Sequence, residues 1–365
     1  FFNFEENTYV SHYQPPDKPT GVITVIAHSG SAFDGFVFSD ARYRFNLAIS
    51  PGQEMGASIG EYMDYALELP STHVIALFLE TVRDVESFVS ALRKARERDV
   101  PVVAVKIGRT ERSAALARTH SGALVGDARA FDAALERHGA ISVDSADELL
   151  AAAALLAIPK RAGPGALSVM IDSGGLRETL IDLADKRGVA LSEYTTDTTE
   201  YLESMIPPYL SAENPLDYGV PLTVDRPRLL TALWQRVMAD RGTAIGGFQF
   251  EAFDHFCYSP RLIEAAQSIA TASAKPFFVF NSFHCTKNEG IAKRFADQGL
   301  PLINGEGNML AAVDAVIRHR DLNVHNPCND LPSIDPEVTL KWRDRMRTVT
   351  PLDEAQALLL LSEYG

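Results

Sequence analysis

At 365 residues the chain is long enough for two or three domains, at roughly 100–200 residues each. Its 46% hydrophobic and 22% charged residues are ordinary for a globular protein, and no apolar run approaches the ~20 residues that span a bilayer. A formal net charge of -14 repels nucleic-acid backbones and anionic membrane surfaces.

The opening Phe1-Phe-Asn-Phe-Glu-Glu-Asn7 has neither the basic start nor the apolar stretch of a signal peptide, and no initiating Met precedes it. A segment of something longer is therefore expected. From Gly21 onward, short β-rich runs alternate with stretches of helical spacing. The runs are Val22–Ala27, Phe45–Ile49, Val74–Leu79, Val100–Val105 and Ala140–Val143, with helices expected over Val85–Arg98, Ala128–His138 and Ala146–Leu156. Such alternation predicts a parallel sheet covered by helices on both faces. Pro159–Gly165 reads as a linker.

The pattern then restarts. Strands are expected at Ala166–Ile171, Ala190–Glu193, Ala244–Phe250, Pro276–Asn281 and Pro301–Ile303, and helices at Leu176–Arg187 and Arg261–Ala272. Five strands per half is the size of a flavodoxin-like doubly wound domain, so the fold class is α/β with two such domains in tandem. After Asn323 a Pro- and Asn-rich stretch leads to an amphipathic tail, Leu352–Tyr364. The expected divisions are 1–20 as a joining segment, 21–160 and 165–325 as the two domains, and 335–365 as the start of another. Three cysteines, Cys257, Cys285 and Cys328, show no paired spacing, which argues against a disulfide framework or zinc site and suits a reducing cytoplasm.

In open parallel sheets, ligands collect at the carboxyl ends of strands, where helix N-termini present free N–H groups. Three segments of the first half fall there. The turn Ala27-His28-Ser29-Gly30-Ser31 can approach an anion closely, or serve as an ordinary turn with Ser as N-cap. Glu80 can orient an imidazole or merely cap a helix. His120 lies in Ala117–Gly126, expected as a mobile loop, where its ring can act as a covalent nucleophile or be a surface residue.

A rival reading takes Gly56-Ala57-Ser58-Ile59-Gly60 as the Gly-x-Ser-x-Gly of a hydrolase, but that elbow needs Ser at a strand end. Here the strand ends near Ser50 and Ser58 falls in a helical pattern. Phe248, Phe250, Phe253, Phe256 and Tyr258 read as core rather than pocket, and His284 and Cys285 as strand-end residues. Asp217 with Glu251 is not favoured as an acid pair. Another alternative is a non-catalytic flavodoxin-like binding or regulatory module, since fold alone does not fix function.

Several motifs together resemble the NDP-forming acyl-CoA synthetases, the family of ADP-forming acetate–CoA ligases and succinyl-CoA synthetase. Val105-Lys-Ile-Gly-Arg-Thr110 followed by Thr119-His-Ser-Gly-Ala-Leu-Val-Gly126 is similar to the family's Lys-x-Gly-Arg-Ser and Ser-His-Thr-Gly-Ala-Leu-Ala-Gly, with the two hydroxyl residues around the His exchanged. Ala27-His28-Ser29-Gly30 resembles its Ser-Gln-Ser-Gly turn, and the stretch ending at Glu80 its Tyr-x-Glu-Gly. Asp172-Ser-Gly-Gly175 and Asn214-Pro-Leu-Asp217 resemble its Asn-x-Gly-Gly and Asn-Pro-x-Asp.

The resemblance covers about residues 21–320. It implies an acid–CoA ligase that makes an acyl-CoA from a carboxylic acid, CoA and ATP, through a phosphohistidine at His120 and an acyl phosphate. It implies Glu80 as the residue holding that ring, and Ser29, Gly30, Ser31, Ser121 and Gly122 as phosphate-binding. A looser match implies Gly52 and Gln53 near the acyl site. No metal ligand set is expected from the chain's own residues. CoA, ATP and Mg would be met in a longer parent, through a CoA-binding domain and an ATP-grasp domain on the same chain or a partner subunit. Neither Gly-x-Gly-x-x-Gly nor Gly-x4-Gly-Lys-Ser/Thr occurs, so the fragment alone is expected to be inactive and to bind no cofactor of its own. The interfaces left by those domains make self-association into a homo-oligomer plausible.

Overall fold

A computed structural model describes residues 1–121, 128–219, 225–255, 259–325, 335–348 and 352–364. It divides into two units, Phe1–Asn326 and Pro327–Gly365. In the first unit, β1 (Phe2–Asn3) and β2 (Thr8–Tyr9) open the chain, followed by β3 (Ile23–Ala27), α1 (Gly30–Val37), β4 (Phe45–Ile49) and α2 (Ile59–Glu68). Next come β5 (Val74–Leu79), α3 (Val85–Glu97), β6 (Val102–Lys106), α4 (Glu111–Ser121), α5 (Ala128–Arg137), β7 (Ile141–Ser142) and α6 (Ala146–Leu156).

The second half runs β8 (Ala166–Ile171), α7 (Gly174–Arg187), α8 (Thr196–Met205), β9 (Leu216–Asp217), α9 (Arg226–Ala239) and β10 (Thr243–Gln249). It continues with α10 (Ser259–Ala272), β11 (Phe277–Asn281), α11 (Glu289–Ala296), β12 (Leu302–Asn304) and α12 (Glu306–His325). The second unit holds α13 (Pro336–Thr348) and α14 (Glu354–Tyr364), tied by Lys341 Nζ and Trp342 Nε1 donating to the Glu363 carboxylate at 2.6 and 2.7 Å. No helix among the described residues is long and apolar enough to cross a membrane.

The first sheet has the order β2-β1-β4-β3-β5-β6-β7 and the second β12-β11-β10-β8-β9. Counting only the parallel strands, both have the doubly wound order 2-1-3-4-5, whose switch points lie between β3 and β5 and between β8 and β10. The central strands are buried on both faces, as Ile-Thr-Val-Ile-Ala and Val-Ile-Ala-Leu-Phe-Leu runs require. Within the expected joining segment, residues 2–9 add two antiparallel strands beside β4, and buried Phe2 stacks on Phe33.

Two expectations change. Ala190–Glu193 forms no strand and keeps one bridge, Leu191 to Leu167. The Asn214 side chain takes the ladder's place: its Oδ1 accepts from Val169 N–H (2.8 Å), and its amide donates to Leu167 O (2.7 Å) and Ser192 O (3.0 Å). That explains Asn at the head of the Asn-Pro-Leu-Asp motif. The stretch expected as a loop at 117–126 begins as helix, because α4 continues to Ser121 through a run of good helix formers, Ala114-Ala-Leu-Ala-Arg118.

Residues 159–165 do not behave as a loose tether. Arg320 donates to the carbonyls of Gly163 and Gly165 (both 2.9 Å), and Arg161 pairs with Asp99 at 2.9 Å. Between the two sheets, Ala151, Ala152, Ala153 and Leu155 of α6 join Met309, Ala312, Val313 and Val316 of α12 in one core that also includes Val25, Val103, Val169 and Phe280.

The Gly-x-Ser-x-Gly match has a structural explanation. Ser58 N-caps α2 in a capping box with Glu61, well away from any strand end. A Cβ at Gly60 would lie 2.3 Å from the Ser87 carbonyl carbon, so α2 and α3 cross with no room for a side chain. Gly60→Ala is expected to cost about 2 kcal/mol and Ser58→Ala about 1 kcal/mol in urea unfolding, with hydrolysis of a chromogenic ester unaffected by either. Ester turnover abolished by Ser58→Ala would contradict this assignment.

Candidate functional site

At the switch point of the first sheet, the chain leaves β3 through His28 and β5 through Glu80. His28 bonds by backbone N–H to Phe78 O (3.0 Å), which extends the ladder one residue past the strand. Its side chain turns inward, 5% exposed. Nδ1 accepts the backbone N–H of Glu80 at 3.0 Å, so the ring proton sits on Nε2, which donates to Glu54 Oε1 at 3.1 Å.

Glu54 is 2% exposed and lies in the left-handed backbone region at φ 54, unusual for a residue other than Gly. Its other oxygen accepts the Ile59 N–H at 2.9 Å, and Arg83 Nε lies 3.9 Å from Oε1. Held in this way, a backbone conformation that costs about 1–3 kcal/mol persists. Burial lowers the His28 pKa and outweighs the opposing pull of Glu54 and Glu80, with Arg83 lowering it further. His28 is therefore a neutral ring.

Lys106, the last residue of β6 and 4% exposed, reaches across to the same place, donating to the carbonyls of Glu80 (2.7 Å) and Ile107 (2.5 Å). Burial, then the charge of Arg109, lowers its pKa, while Glu80 opposes. The backbone of Glu80 is thus held from both sides, by His28 at N–H and Lys106 at C=O. Arg109 makes a two-pronged bond to Asp132 (2.6 and 2.8 Å) and also bonds Ser142, which ties the start of α4's approach to α5 and β7.

The remaining sequence candidates fall as follows. Ser29 N-caps α1, its Oγ accepting from Ala32 N–H at 3.3 Å. Gly30 and Ser31 are exposed on the first turn, and a Cβ added at Gly30 would meet nothing within 4 Å. That leaves an open helix N-terminus beside the switch point. Gly52 (φ 59) and Gln53 form the exposed turn preceding Glu54, with Gln53 Oε1 accepting from Arg83 at 2.6 Å. The backbone of His120 and Ser121 ends α4. Their side chains, and Gly122, lie outside the described residues. Sequence reasoning missed Glu54 and Lys106. Lys106 stood within the quoted Lys-x-Gly-Arg motif, and Pro51-Gly52 marked the turn that delivers Glu54.

The second sheet repeats the arrangement with acids. Asp172 follows β8, its N–H donating to Gln249 Oε1 (3.3 Å) of β10, while Ser173 N-caps α7. Glu251 accepts from Gln249 Nε2 (3.0 Å) and Ser282 N–H (2.9 Å), and Asp217 Oδ1 from Gly219 N–H (2.8 Å). Burial raises the Asp172 pKa; Arg226 opposes, and Glu251 and Asp217 add to the rise. Phe248 and Phe250 are core, as expected, whereas Phe253 is exposed, and Phe256 and Tyr258 lie outside the described residues. Cys285 is an exposed free thiol.

Among the described residues, no group of three or more His, Cys, Asp or Glu is placed to hold a metal ion. A cavity of about 280 Å³ sits at the opposite pole, beside Ile23 and Leu302 where strands begin. Its arginines are already paired, Arg42 with Asp40 and Arg44 with Asp297, so it offers no free charge to an anionic ligand.

Glu306, at the start of α12, is 6% exposed, and its Oε1 has no hydrogen-bond partner. Burial raises its pKa, Ser282 opposes, and Glu251 raises it further. A carboxyl pKa raised by folding means that the native state binds the proton more tightly than the unfolded chain. Its destabilising effect is absent below the unfolded pKa and complete above the folded one. Glu306→Gln is therefore expected to stabilise the protein by about 1 kcal/mol at pH 8, with the gain vanishing in thermal melts near pH 4. A variant equally or less stable than wild type at pH 8 would contradict this.

Residues 20–156 match the model for the succinyl-CoA ligase like flavodoxin domain. The chain is 28% identical over 235 residues to trans-feruloyl-CoA synthase of an unknown prokaryotic organism (63% of this chain, 33% of the relative). It is 29% identical over 199 residues to the alpha subunit of ADP-forming acetate–CoA ligase II of Pyrococcus furiosus (54% of this chain, 43% of the relative). The chain thus matches a third to under half the length of these two relatives. In fold it is similar to the dinucleotide-forming acetyl-coenzyme A synthetase 1 of Ca. Korarchaeum cryptofilum, solved with phosphate and ADP (TM-score 0.70, 17% identity, 84% of this chain, 66% of that one). Residues 20–156 thus match a succinyl-CoA ligase-like flavodoxin domain, and the chain is similar to curated ADP-forming acid–CoA ligases.

Proposed function

We propose that this chain is the two-flavodoxin-domain part of a cytoplasmic acid–CoA ligase that forms an acyl-CoA, with His120 as the phosphoryl carrier and Glu80 as the carboxylate that orients it. The observation that carries the reading is the convergence at the first switch point. There an open helix N-terminus (Ser29–Ser31) stands beside a glutamate whose backbone is fixed by two buried side chains. This half also matches a ligase domain.

The chemistry follows from these groups. A neutral imidazole nitrogen of His120 attacks the γ-phosphorus of ATP, the bond to the bridging oxygen breaks, and ADP leaves. A carboxylate oxygen of the acid then attacks the phosphoryl group and the P–N bond breaks, returning the imidazole and giving an acyl phosphate. The CoA thiolate attacks the acyl carbon and inorganic phosphate departs. Glu80 would balance the imidazolium charge, and N–H groups of Gly30, Ser31, Ser121 and Gly122 would hold phosphoryl oxygens. Gly52 and Gln53 would border the acyl group. Magnesium would accompany ATP, and ATP-grasp and CoA-binding domains, on the same chain or a partner subunit, would deliver ATP and CoA.

In the full-length protein supplied with Mg-ATP, CoA and a panel of carboxylic acids, phosphate release should depend on both acid and CoA. His120→Ala should abolish it, and Glu80→Gln should lower it roughly a hundredfold. A His120→Ala variant that turns over at the wild-type rate would overturn the proposal.

A further inference from the structure

We infer that His28 is a positioning residue for Glu80: it grips the Glu80 backbone from the neighbouring strand through a neutral imidazole, and its protonation releases that grip. The inference rests on the ligase reading above for the role of the Glu80 carboxylate. The grip itself rests on geometry alone.

Glu80 is the first residue beyond β5, where the sheet's own ladder has run out. Its N–H would otherwise meet solvent. Instead it donates to His28 Nδ1 at 3.0 Å, from a side chain 5% exposed. An imidazole nitrogen accepts only when it carries no proton, so this contact requires the Nε2–H tautomer. That tautomer is secured from behind, since Nε2 meets Glu54 Oε1 at 3.1 Å. Glu54 is in turn fixed by the Ile59 N–H, at a left-handed backbone angle. The relay from Ile59 through Glu54 and His28 to Glu80 is buried and directional, and it uses no exposed side chain.

The charges facing His28 are Glu54, Glu80 and Arg83, and Lys106 holds the Glu80 carbonyl on the far side. Burial dominates among these influences and keeps the ring neutral at physiological pH. When acid does add a proton, it must go to Nδ1. The new N–H then points at the Glu80 N–H, and an attractive contact becomes a repulsive one. Glu80 is left anchored at its carbonyl only, and its carboxylate loses the fixed direction needed to orient a neighbouring imidazole.

The test is the rate of phosphohistidine formation in the full-length protein, measured in a single turnover with ATP across pH 5 to 8. His28→Ala should slow it by about ten- to a hundredfold. His28→Gln can accept from Glu80 and donate to Glu54 but cannot be protonated. It should recover most of the rate at pH 7.5 and fall off less steeply in acid than wild type. His28→Ala labelling at the wild-type rate, His28→Gln as slow as His28→Ala, or parallel acid limbs for His28→Gln and wild type would each overturn the inference. Should wild type not label at all, the ligase reading fails and the grip is judged separately by nitrogen-15 NMR of the His28 ring. The Nε2–H tautomer at pH 7 supports it, and Nδ1–H overturns it.

Discussion

Two helices sealed between two sheets hold the first unit together. α6 is built almost wholly of Ala and Leu and has buried residues on every side, as suits a helix with a sheet on one flank and α12 on the other. Small side chains let the pair pack closely, and the same apolar cluster then reaches into both sheets. The two halves cannot hinge about residues 159–165 without opening that core. Arg320 and Arg161 reinforce it by satisfying the carbonyls and charges of the connecting turn.

A rigid shared layer matters because both switch points are assembled from strand ends. A residue just past a strand has lost its ladder partners, and its backbone must be satisfied by something else. The first sheet answers with a buried His, a buried Glu and a buried Lys around Glu80. The second answers with Gln249 and Ser282 around Asp172 and Glu251. The two solutions share a topology but differ electrostatically. Lys106 and Arg83 balance Glu54 and Glu80 at the first, whereas the second gathers Asp172, Asp217, Glu251 and Glu306 against Arg226. That difference in charge balance supports the proposal that an anionic phosphoryl group is received at the first point and not the second.

The sequence revealed the fold well because buried parallel strands read as uninterrupted apolar runs. Phe45–Ile49, Val74–Leu79 and Ala166–Ile171 stand where their patterns put them. It was less legible where side chains replace backbone pairing. Asn214 removed the strand expected at Ala190–Glu193, and nothing in the local pattern signalled that a residue more than twenty positions away would occupy its hydrogen bonds. Helix α12, buried on opposite flanks, lacks the one-sided periodicity by which amphipathic helices are found. At the candidate site, the turn at His28–Ser31 and the acid at Glu80 could be marked by their position after strands. Glu54 could not, because its partners come from three separate segments and only the folded chain brings them together.

The central claim is that the imidazole of residue 120 carries phosphorus during turnover. Mass spectrometry of the full-length protein after brief exposure to Mg-ATP, digested under alkaline conditions that preserve phosphoramidates, tests it most directly. The account predicts one acid-labile phosphoryl group, mapped to the peptide containing His120 and discharged by a carboxylic acid together with CoA. Phosphate found on another residue, or a peptide that stays unmodified in protein shown to bind ATP, would contradict it.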